Sequence, residues 1–198
     1  MTDDRPQLAP EEISRLRAVA DELSEVAARQ QEHWKVEITD GQVTVMMMSP
    51  SGQHGANVIR LRRQIEQQDP GVAAFSDTDT EDPVTGLRKV PDLMVVPESE
   101  VDSVGARVSS RVVLLAVEVV SPGNPRNDLE VKARDYPVMG VPCYLVVDPR
   151  KGAGTVYSDP SQGPDGVRYR KAVPFAFGDR IAVGPWSIDT SGLRRYED

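Results

Sequence analysis

Two stretches of this chain are nearly continuous in apolar residues, and each contains a single carboxylate near its middle or end. They run from Val90 to Val96, with Asp92, and from Arg111 to Val120, with Glu118. Such runs are typical of strands that are buried on both faces of a sheet. An unpaired ionised carboxylate in such a strand is costly, so each acid needs a cation, a metal ion or a shifted pKa. Two acids with this need in one small sheet are the pattern that a divalent-metal site would leave.

Helical periodicity precedes these strands. Apolar residues recur at intervals of three and four from Pro10 to about Gln30, and again from about Gln53 to Gln68, which predicts two amphipathic helices. Between them, Asp40 and Gly41 separate two alternating runs, Trp34 to Ile38 and Gln42 to Met48. Because glycine supplies the positive φ of a tight turn, these runs predict a β-hairpin.

A third helix is expected after the second apolar run. It starts near Asn127, whose side chain would cap it, and ends near Tyr136 because Pro137 follows. Further short strands are predicted at Val72 to Phe75, Tyr144 to Val147, Thr155 to Tyr157, Val167 to Val173 and Ile181 to Val183.

The order of these elements predicts an α/β fold with a central mixed sheet flanked by helices. A chain of 198 residues suits one domain with its own core, which we assign to residues 10–198. Residues 1–9 are expected to be disordered.

The composition of the chain indicates in which cellular compartment the protein lies and whether it binds a membrane. The single cysteine, Cys143, lies in an apolar run and is interpreted as a small buried hydrophobe, so the chain suits a reducing compartment. No apolar run reaches the ~20 residues that span a bilayer, and the start of the chain lacks the pattern of a signal peptide. The chain is therefore predicted to be cytoplasmic, without a membrane partner.

The charge balance opposes strong binding to nucleic acid. There are 23 Lys and Arg against 31 Asp and Glu, a formal net charge of −8. A strip formed by Arg60, Arg63 and Arg88 would still allow weak, local phosphate contacts, although a solvated helix face explains these residues equally well. His54, just before the second helix, would either touch substrate or lie on the surface.

Six motifs occur in a characteristic order. They are Glu-Ile-Thr-Asp-Gly from Glu37, Met-Ser-Pro from Met48, Pro-Asp-Leu-Met-Val-Val from Pro91, Val-Glu-Val-Val-Ser-Pro from Val117, Asp-x3-Lys-x3-Tyr from Asp128, and Gly-Val-Pro-x-Tyr-x-Val-Val-Asp-Pro from Gly140. From about Glu37 to Ile188, this order resembles the Uma2 family of bacterial endonucleases, which is part of the PD-(D/E)XK nuclease superfamily.

The resemblance implies a restriction-endonuclease-like fold and a metal-dependent nuclease site. Asp92 and Glu118 would bind Mg²⁺ or Mn²⁺, Lys132 would lie near the attacking water, and Glu37 would be a more peripheral member. Because Mg²⁺ keeps several waters, these two carboxylates and the carbonyl of Val119 would suffice.

One departure from the superfamily pattern concerns its lysine, which commonly lies two residues after the acid. That position is Val120 here. We therefore expect Lys132 to replace it from the third helix, held by Asp128 and Tyr136 on the same helix face. On this view Lys132→Met would lose most activity while keeping the fold.

Simpler interpretations of the three main residues remain open. Asp92 after Pro91 would also suit a turn, Glu118 would also suit an ion pair with an arginine such as Arg111 or Arg134, and Lys132 would suit a solvated helix lysine.

The predicted activity is Mg²⁺-dependent hydrolysis of DNA phosphodiester bonds, with a symmetric homodimer as a further hypothesis, since two sites would serve two strands. One rival is a catalytically silent member that binds nucleic acid or protein. Another is a metal-free hydrolase in which the two carboxylates act as acid and base.

Overall fold

The computed structural model describes residues 6, 8–32, 34–47, 51–103 and 107–196. Most of the predicted disordered start, residues 1–9, lies outside the described residues, as do Met48 at the end of the predicted hairpin and His33.

Within these ranges the α-helices are α1 (Pro10–Gln30), α2 (Gly52–Gln68) and α3 (Lys132–Val138). The first two confirm the predictions from apolar periodicity. Pro10 opens α1, where a missing N–H costs nothing, and the Glu12 carboxylate accepts a bond from the N–H of Ala9 at 2.8 Å.

The third helix differs from its prediction at both ends. A π-helical turn over Asn127–Val131 precedes α3, and Arg126 before it is already helical, so Asn127 does not cap the segment. Pro137 lies inside the last turn. The helix ends because Gly140 takes a φ of 83°, which lets the N–H of Val141 bond to the carbonyl of Tyr136 at 3.0 Å.

The strands are β1 (Trp34–Thr39), β2 (Gln42–Met47), β3 (Val72–Phe75), β4 (Asp79–Glu81), β5 (Arg88–Lys89), β6 (Leu93–Pro97), β7 (Arg107–Ser109), β8 (Leu115–Val119), β9 (Cys143–Asp148), β10 (Ala153–Gly163), β11 (Gly166–Ala176), β12 (Arg180–Val183) and β13 (Trp186–Asp189). Short 3₁₀ turns occur at Glu98–Ser103 and Ser110–Val112.

In the part of the chain that the structure describes, the strands form two mixed sheets and a hairpin. One sheet has the order β11-β10-β9-β8-β6-β3, the other has the order β2-β1-β5-β4-β7, and β12 pairs with β13. Strands β8 and β9 are parallel, as are β4 and β7. The α/β class with mixed sheets and flanking helices is confirmed, but the strands divide into two mixed sheets instead of one.

The division occurs inside a run that the sequence presented as one strand. The chain leaves the five-stranded sheet after β5, at Lys89, and enters the six-stranded sheet at Leu93. Pro91 lies in this crossing and cannot donate a ladder hydrogen bond, which favours a break there. Asp92 is therefore placed where the two sheets meet.

The six-stranded sheet is covered on both faces, as its apolar runs predicted. Leu93 and Val117 belong to the core shared with α2, whereas Met94 and Ala116 belong to the core shared with Tyr136 of α3. Alternating side chains of one strand point to opposite faces, so both faces of β6 and β8 are buried.

Two further findings concern composition. Cys143 is buried, and burial raises the pKa of its thiol to about 11, which agrees with its interpretation as a small hydrophobe. Among the helices of the described residues, none has the length and hydropathy needed to cross a membrane.

Candidate active site

Asp92 and Glu118 lie side by side. Strands β6 and β8 are antiparallel, with Leu93 opposite Val117, and continuing this register by one residue places Asp92 opposite Glu118. The N–H of Val119 donates to Asp92 Oδ2 at 2.8 Å, and the N–H of Asp92 lies 3.4 Å from Glu118 Oε2. The backbone thus orients both carboxylates. The N–H of Val119 contacts Asp92, whereas the group predicted as a metal ligand is the carbonyl of Val119.

Lys132 reaches Glu118 from the start of α3. Its Nζ lies 2.8 Å from Glu118 Oε1 and 3.3 Å from both Glu37 Oε1 and Asp128 Oδ1. The hydroxyl of Tyr136 also donates to Glu118 Oε1, at 2.8 Å. The structure therefore brings Lys132, Glu37 and Asp128 together as expected, but Tyr136 binds the carboxylate instead of the ammonium.

Lys35 is a member of this site that the sequence analysis missed. Its side chain is buried, and its Nζ bonds to Asp92 Oδ1 and lies 3.3 Å from Asp77 Oδ1. Val36 and Ile38 of the same strand pack against Ala20 of α1, so Lys35 and Glu37 point to the other face. The period of two in a strand, counted back from Glu37, would have found it.

His54 lies in the first turn of α2, where its N–H donates to the capping hydroxyl of Ser51 at 3.2 Å. Its Nε2 is 3.3 Å from Asp92 Oδ2. The predicted surface alternative does not hold, because the residue is 7% exposed.

Together these side chains form a carboxylate–lysine cluster with more acids than bases. Its described members are Glu37, Asp92, Glu118, Asp128 and Asp135, with Lys35, Lys89 and Lys132. Five carboxylates share these three ammonium groups, and Asp77 beside Lys35 and Arg134 beside Asp135 lie at the edge of the cluster.

The pKa values of the two central acids shift in opposite directions. Burial raises the pKa of Glu118 to about 8, although Lys132 opposes this rise, and the neighbouring charge of Asp92 adds to it. Burial also acts to raise the pKa of Asp92, but Lys35 and His54 outweigh it and hold that pKa below its usual range. Glu118 is thus the acid that an additional cation would most readily ionise.

The donors fit a hard divalent cation in their chemistry. Carboxylate oxygens are the ligands that Mg²⁺ and Mn²⁺ prefer, and a cation would offset the excess of acids over lysines in the cluster. Among the described residues, however, no three His, Cys, Asp or Glu side chains already converge as a metal-binding group. The lysines hold the carboxylates instead, so a cation bound at Asp92 would have to displace the ammonium of Lys35.

A cavity of about 960 Å³ opens onto one side of the site. Lys35, His54 and Asp92 line it, whereas Glu118 and Lys132 do not belong to its lining. Its other charged lining residues are mostly acidic, namely Asp21, Glu25, Glu32, Asp77 and Asp79, with Arg107 as the basic exception. Lys35 is therefore the lysine of the cluster that faces the cavity.

The structure does not assemble the predicted basic strip. Arg88 is fully buried and pairs with Asp21 Oδ1 at 2.8 Å and with Glu81 Oε2 at 3.0 Å, which corrects its assignment as a phosphate contact. Its guanidinium connects α1 to the five-stranded sheet. Arg63 is exposed and Arg60 half-buried on α2, and the lining of the described cavity includes neither.

The alternative ion pairs of Glu118 are not formed. Arg111 pairs with Asp82 at 3.0 Å, and Arg134 pairs with Asp40 at 2.8 Å. Glu118 takes Lys132 as its cation instead.

The family model of Uma2, described as "Putative restriction endonuclease", matches residues 20–186. The chain belongs to the Uma2 family. The Uma2 match includes all members of the carboxylate–lysine cluster and ends before the last strand is complete. No curated protein is significantly similar in sequence.

A solved structure supports the same fold. It is described as a putative nuclease belonging to DUF820 from Anabaena variabilis, and it superposes with a TM-score of 0.61 at 15% sequence identity. The similarity covers 80% of this chain and 88% of that one. At this identity the likeness shows the shared architecture, and it agrees with the restriction-endonuclease-like fold expected for a Uma2 protein.

Proposed function

We propose that this Uma2 protein is a divalent-metal-dependent endonuclease that hydrolyses phosphodiester bonds in DNA. The observation that carries the proposal is the pair Asp92 and Glu118, held side by side at the junction of two sheets with buried lysines around them. Family membership supports a nuclease in general, while the metal, the substrate and the residue roles are our assignments.

We assign the following roles to the residues of the site. Asp92 and Glu118 would hold Mg²⁺ or Mn²⁺, which when bound supplies charge neutralisation of the phosphate and a more acidic water. Lys132 keeps Glu118 in place and would share the negative charge that Glu118 gains on binding the cation. Lys35, at the cavity wall, is placed to donate to a phosphate oxygen, and Glu37 orients Lys132 from the far side.

The acidic lining of the cavity would limit DNA binding to weak and local contacts. Glu25, Glu32 and Asp79 would repel a phosphate backbone that lay along the whole wall. Lys35 and His54 are the nearest basic groups, and because Asp77 lies 3.3 Å from Lys35 Nζ, contacts with them would be weak. This agrees with the net charge of −8.

Two observations favour rival functions. The ammonium of Lys35 already neutralises Asp92, as expected if the protein is a silent member that binds nucleic acid or protein. The raised pKa of Glu118, beside the lowered pKa of Asp92, would suit an acid and base pair that works without metal.

A cleavage assay separates these possibilities. We expect the purified protein to nick supercoiled plasmid or cut a single-stranded oligonucleotide with Mn²⁺ or Mg²⁺, to stop when chelator is added, and to recover with excess metal. Asp92→Asn, purified in parallel, is the control for contaminating nuclease. Cleavage that persists in chelator would point to the metal-free hydrolase, and a folded protein that is inactive with both metals would point to the silent member.

A second prediction concerns Lys35. We expect Lys35→Met to lose cleavage activity on the order of a hundredfold, because a donor to the phosphate charge is removed. Its affinity for Mn²⁺, measured by calorimetry, should be unchanged or higher, since no ammonium then competes for Asp92. The exposed Lys171→Met is the matched control. Full activity in Lys35→Met would restrict this lysine to a structural role.

Two further assignments stay predictions. The cytoplasmic location follows from composition, and the symmetric homodimer follows from the need to cut two strands.

A further inference from the structure

The chain that follows the Uma2 match runs back along α2 and is attached to one face of that helix. The side-chain amide of Gln64 bonds to both backbone groups of Asp189, at 3.1 and 2.7 Å. The amide of Asn57, seven residues earlier on the same helix face, bonds to both backbone groups of Arg194, at 2.9 and 2.7 Å. These bonds fix the backbone of Arg194 and leave its side chain free, and that side chain is exposed.

The end of this segment packs against the turn that follows β9. The N–H of Tyr196 donates to the carbonyl of Pro149 at 3.3 Å. Gly152, in the same turn, has a φ of 62°, and the guanidinium of Arg195 occupies the space that a Cβ at this position would need. The segment and the turn thus bring three exposed basic residues together, which we call the basic edge: Lys151, Arg194 and Arg195.

The basic edge borders the candidate active site. Strands β8 and β9 are parallel, with Val119 opposite Val147, so the turn after β9 begins at the edge of the sheet where Glu118 lies. The hydroxyl of Tyr196 donates to the carbonyl of Val120 at 3.0 Å, and the same oxygen lies 3.3 Å from His54 Nδ1. The segment that carries the two arginines is therefore in direct contact with residues next to the two central carboxylates.

The charges of the basic edge are not neutralised by neighbouring acids. Within the part of the chain that the structure describes, none of its three residues forms a salt bridge. Asp148, at the start of the turn, is buried and accepts two bonds from the guanidinium of Arg150, at 2.8 and 2.6 Å. Glu197 and Asp198, the next acids in sequence, lie outside the described residues. In contrast to the acidic lining of the cavity, this surface has cations that are free to bind an anion.

We propose that the basic edge binds the phosphate backbone of DNA and holds the substrate across the end of β8 that carries Glu118. Exposed arginines bind phosphate oxygens through paired N–H donors, and the distant acids of the chain are screened beyond about 8 Å at physiological salt. The fixed backbone of Arg194 reduces the entropy lost on binding. Leu193 beside the arginines is buried, so the surface lacks the apolar side chains with which a basic segment enters a membrane. The inference rests on the proposed function for its ligand.

Fluorescence anisotropy of a labelled DNA duplex tests the surface, in buffer with chelator so that metal-dependent cleavage does not interfere. We expect Arg194→Gln with Arg195→Gln to bind on the order of tenfold more weakly than the native protein at low salt. The slope of log affinity against log salt concentration should fall by about two, because each phosphate contact contributes about 0.9. The fold should be kept, since the backbone of Arg194 makes the bonds to Asn57, and thermal unfolding checks this.

The matched control is Arg170→Gln with Lys171→Gln, which removes the same two charges from an exposed part of β11. It should bind DNA as the native protein does. An equal loss in both double variants would show that net charge alone matters and would overturn the inference, as would native-like binding by the Arg194 and Arg195 variant. Absence of DNA binding by the native protein at low salt, or equally tight binding to anionic phospholipid vesicles, would also overturn it. Binding that depends on the basic edge without cleavage in Mn²⁺ or Mg²⁺ would support the surface and contradict the proposed nuclease.

Discussion

Asp92→Asn and Glu118→Gln are each expected to weaken Mn²⁺ binding on the order of a hundredfold or more, measured by isothermal titration against the native protein. Each change replaces a carboxylate oxygen, which binds the cation as a charged ligand, by a neutral amide. Cleavage should fall at least as far, because the variants lose the cation that would stabilise the phosphate charge.

The control is Glu66→Gln, which removes a carboxylate paired with Arg62 on α2. It should bind Mn²⁺ as the native protein does. Thermal unfolding in metal-free buffer is recorded for all variants, so that loss of binding is not confused with loss of fold. Native-like affinity in both Asp92→Asn and Glu118→Gln would remove these residues from the metal site.

Lys132→Met is expected to lose about 3–5 kcal/mol of the free energy of unfolding, the usual cost of removing one partner from a buried ion pair. Lys132 is 2% exposed, and its ammonium contacts Glu37, Glu118 and Asp128. Burial of Lys132 therefore leads us to expect a loss of stability that the sequence did not predict. A solvated lysine would have been dispensable, whereas this one is the main cation of three carboxylates.

Urea denaturation of two further variants tests this explanation. The double variant Lys132→Met with Glu37→Gln should regain part of the lost stability, because the buried carboxylate of Glu37 is then replaced by a neutral group that needs no cation. Lys171→Met, on an exposed part of β11, should change stability by no more than about 0.5 kcal/mol. Equal stability of Lys132→Met and Lys171→Met would contradict a buried network.

Burial also accounts for the absence of a charge at Val120, the usual lysine position of the superfamily. Val120 is fully buried, with Tyr136 and Met139 in the same core. A lysine at this position would share a face with Glu118, yet most of its stem would have to replace core volume. The location of Lys132 in α3 thus leaves Val120 available for packing.

Several properties follow from the sequence because they are local. The periodicity of α1 and α2 and the Asp-Gly turn depend on residues a few positions apart, and they were found where they were predicted. The need of Asp92 and Glu118 for partners also follows locally, since a carboxylate inside a buried strand must be compensated whatever the fold. Lys132 was selected through the resemblance to the Uma2 family, since its helix position alone suits a solvated lysine.

Other features were decided only by the tertiary structure. Pro91 marks a break, but only the packing of two sheets shows that the chain crosses between them there and that Asp92 comes to lie opposite Glu118. Lys35 contacts Asp92, which is 57 residues away in sequence. Tyr196 contacts His54, which is 142 residues away. Arg88 was predicted as a surface cation, but it is buried and pairs with Asp21 of α1. The physical reason is common to all of them: propensity and periodicity act over a few residues, whereas strand register and burial of a charge are set by segments far apart in sequence.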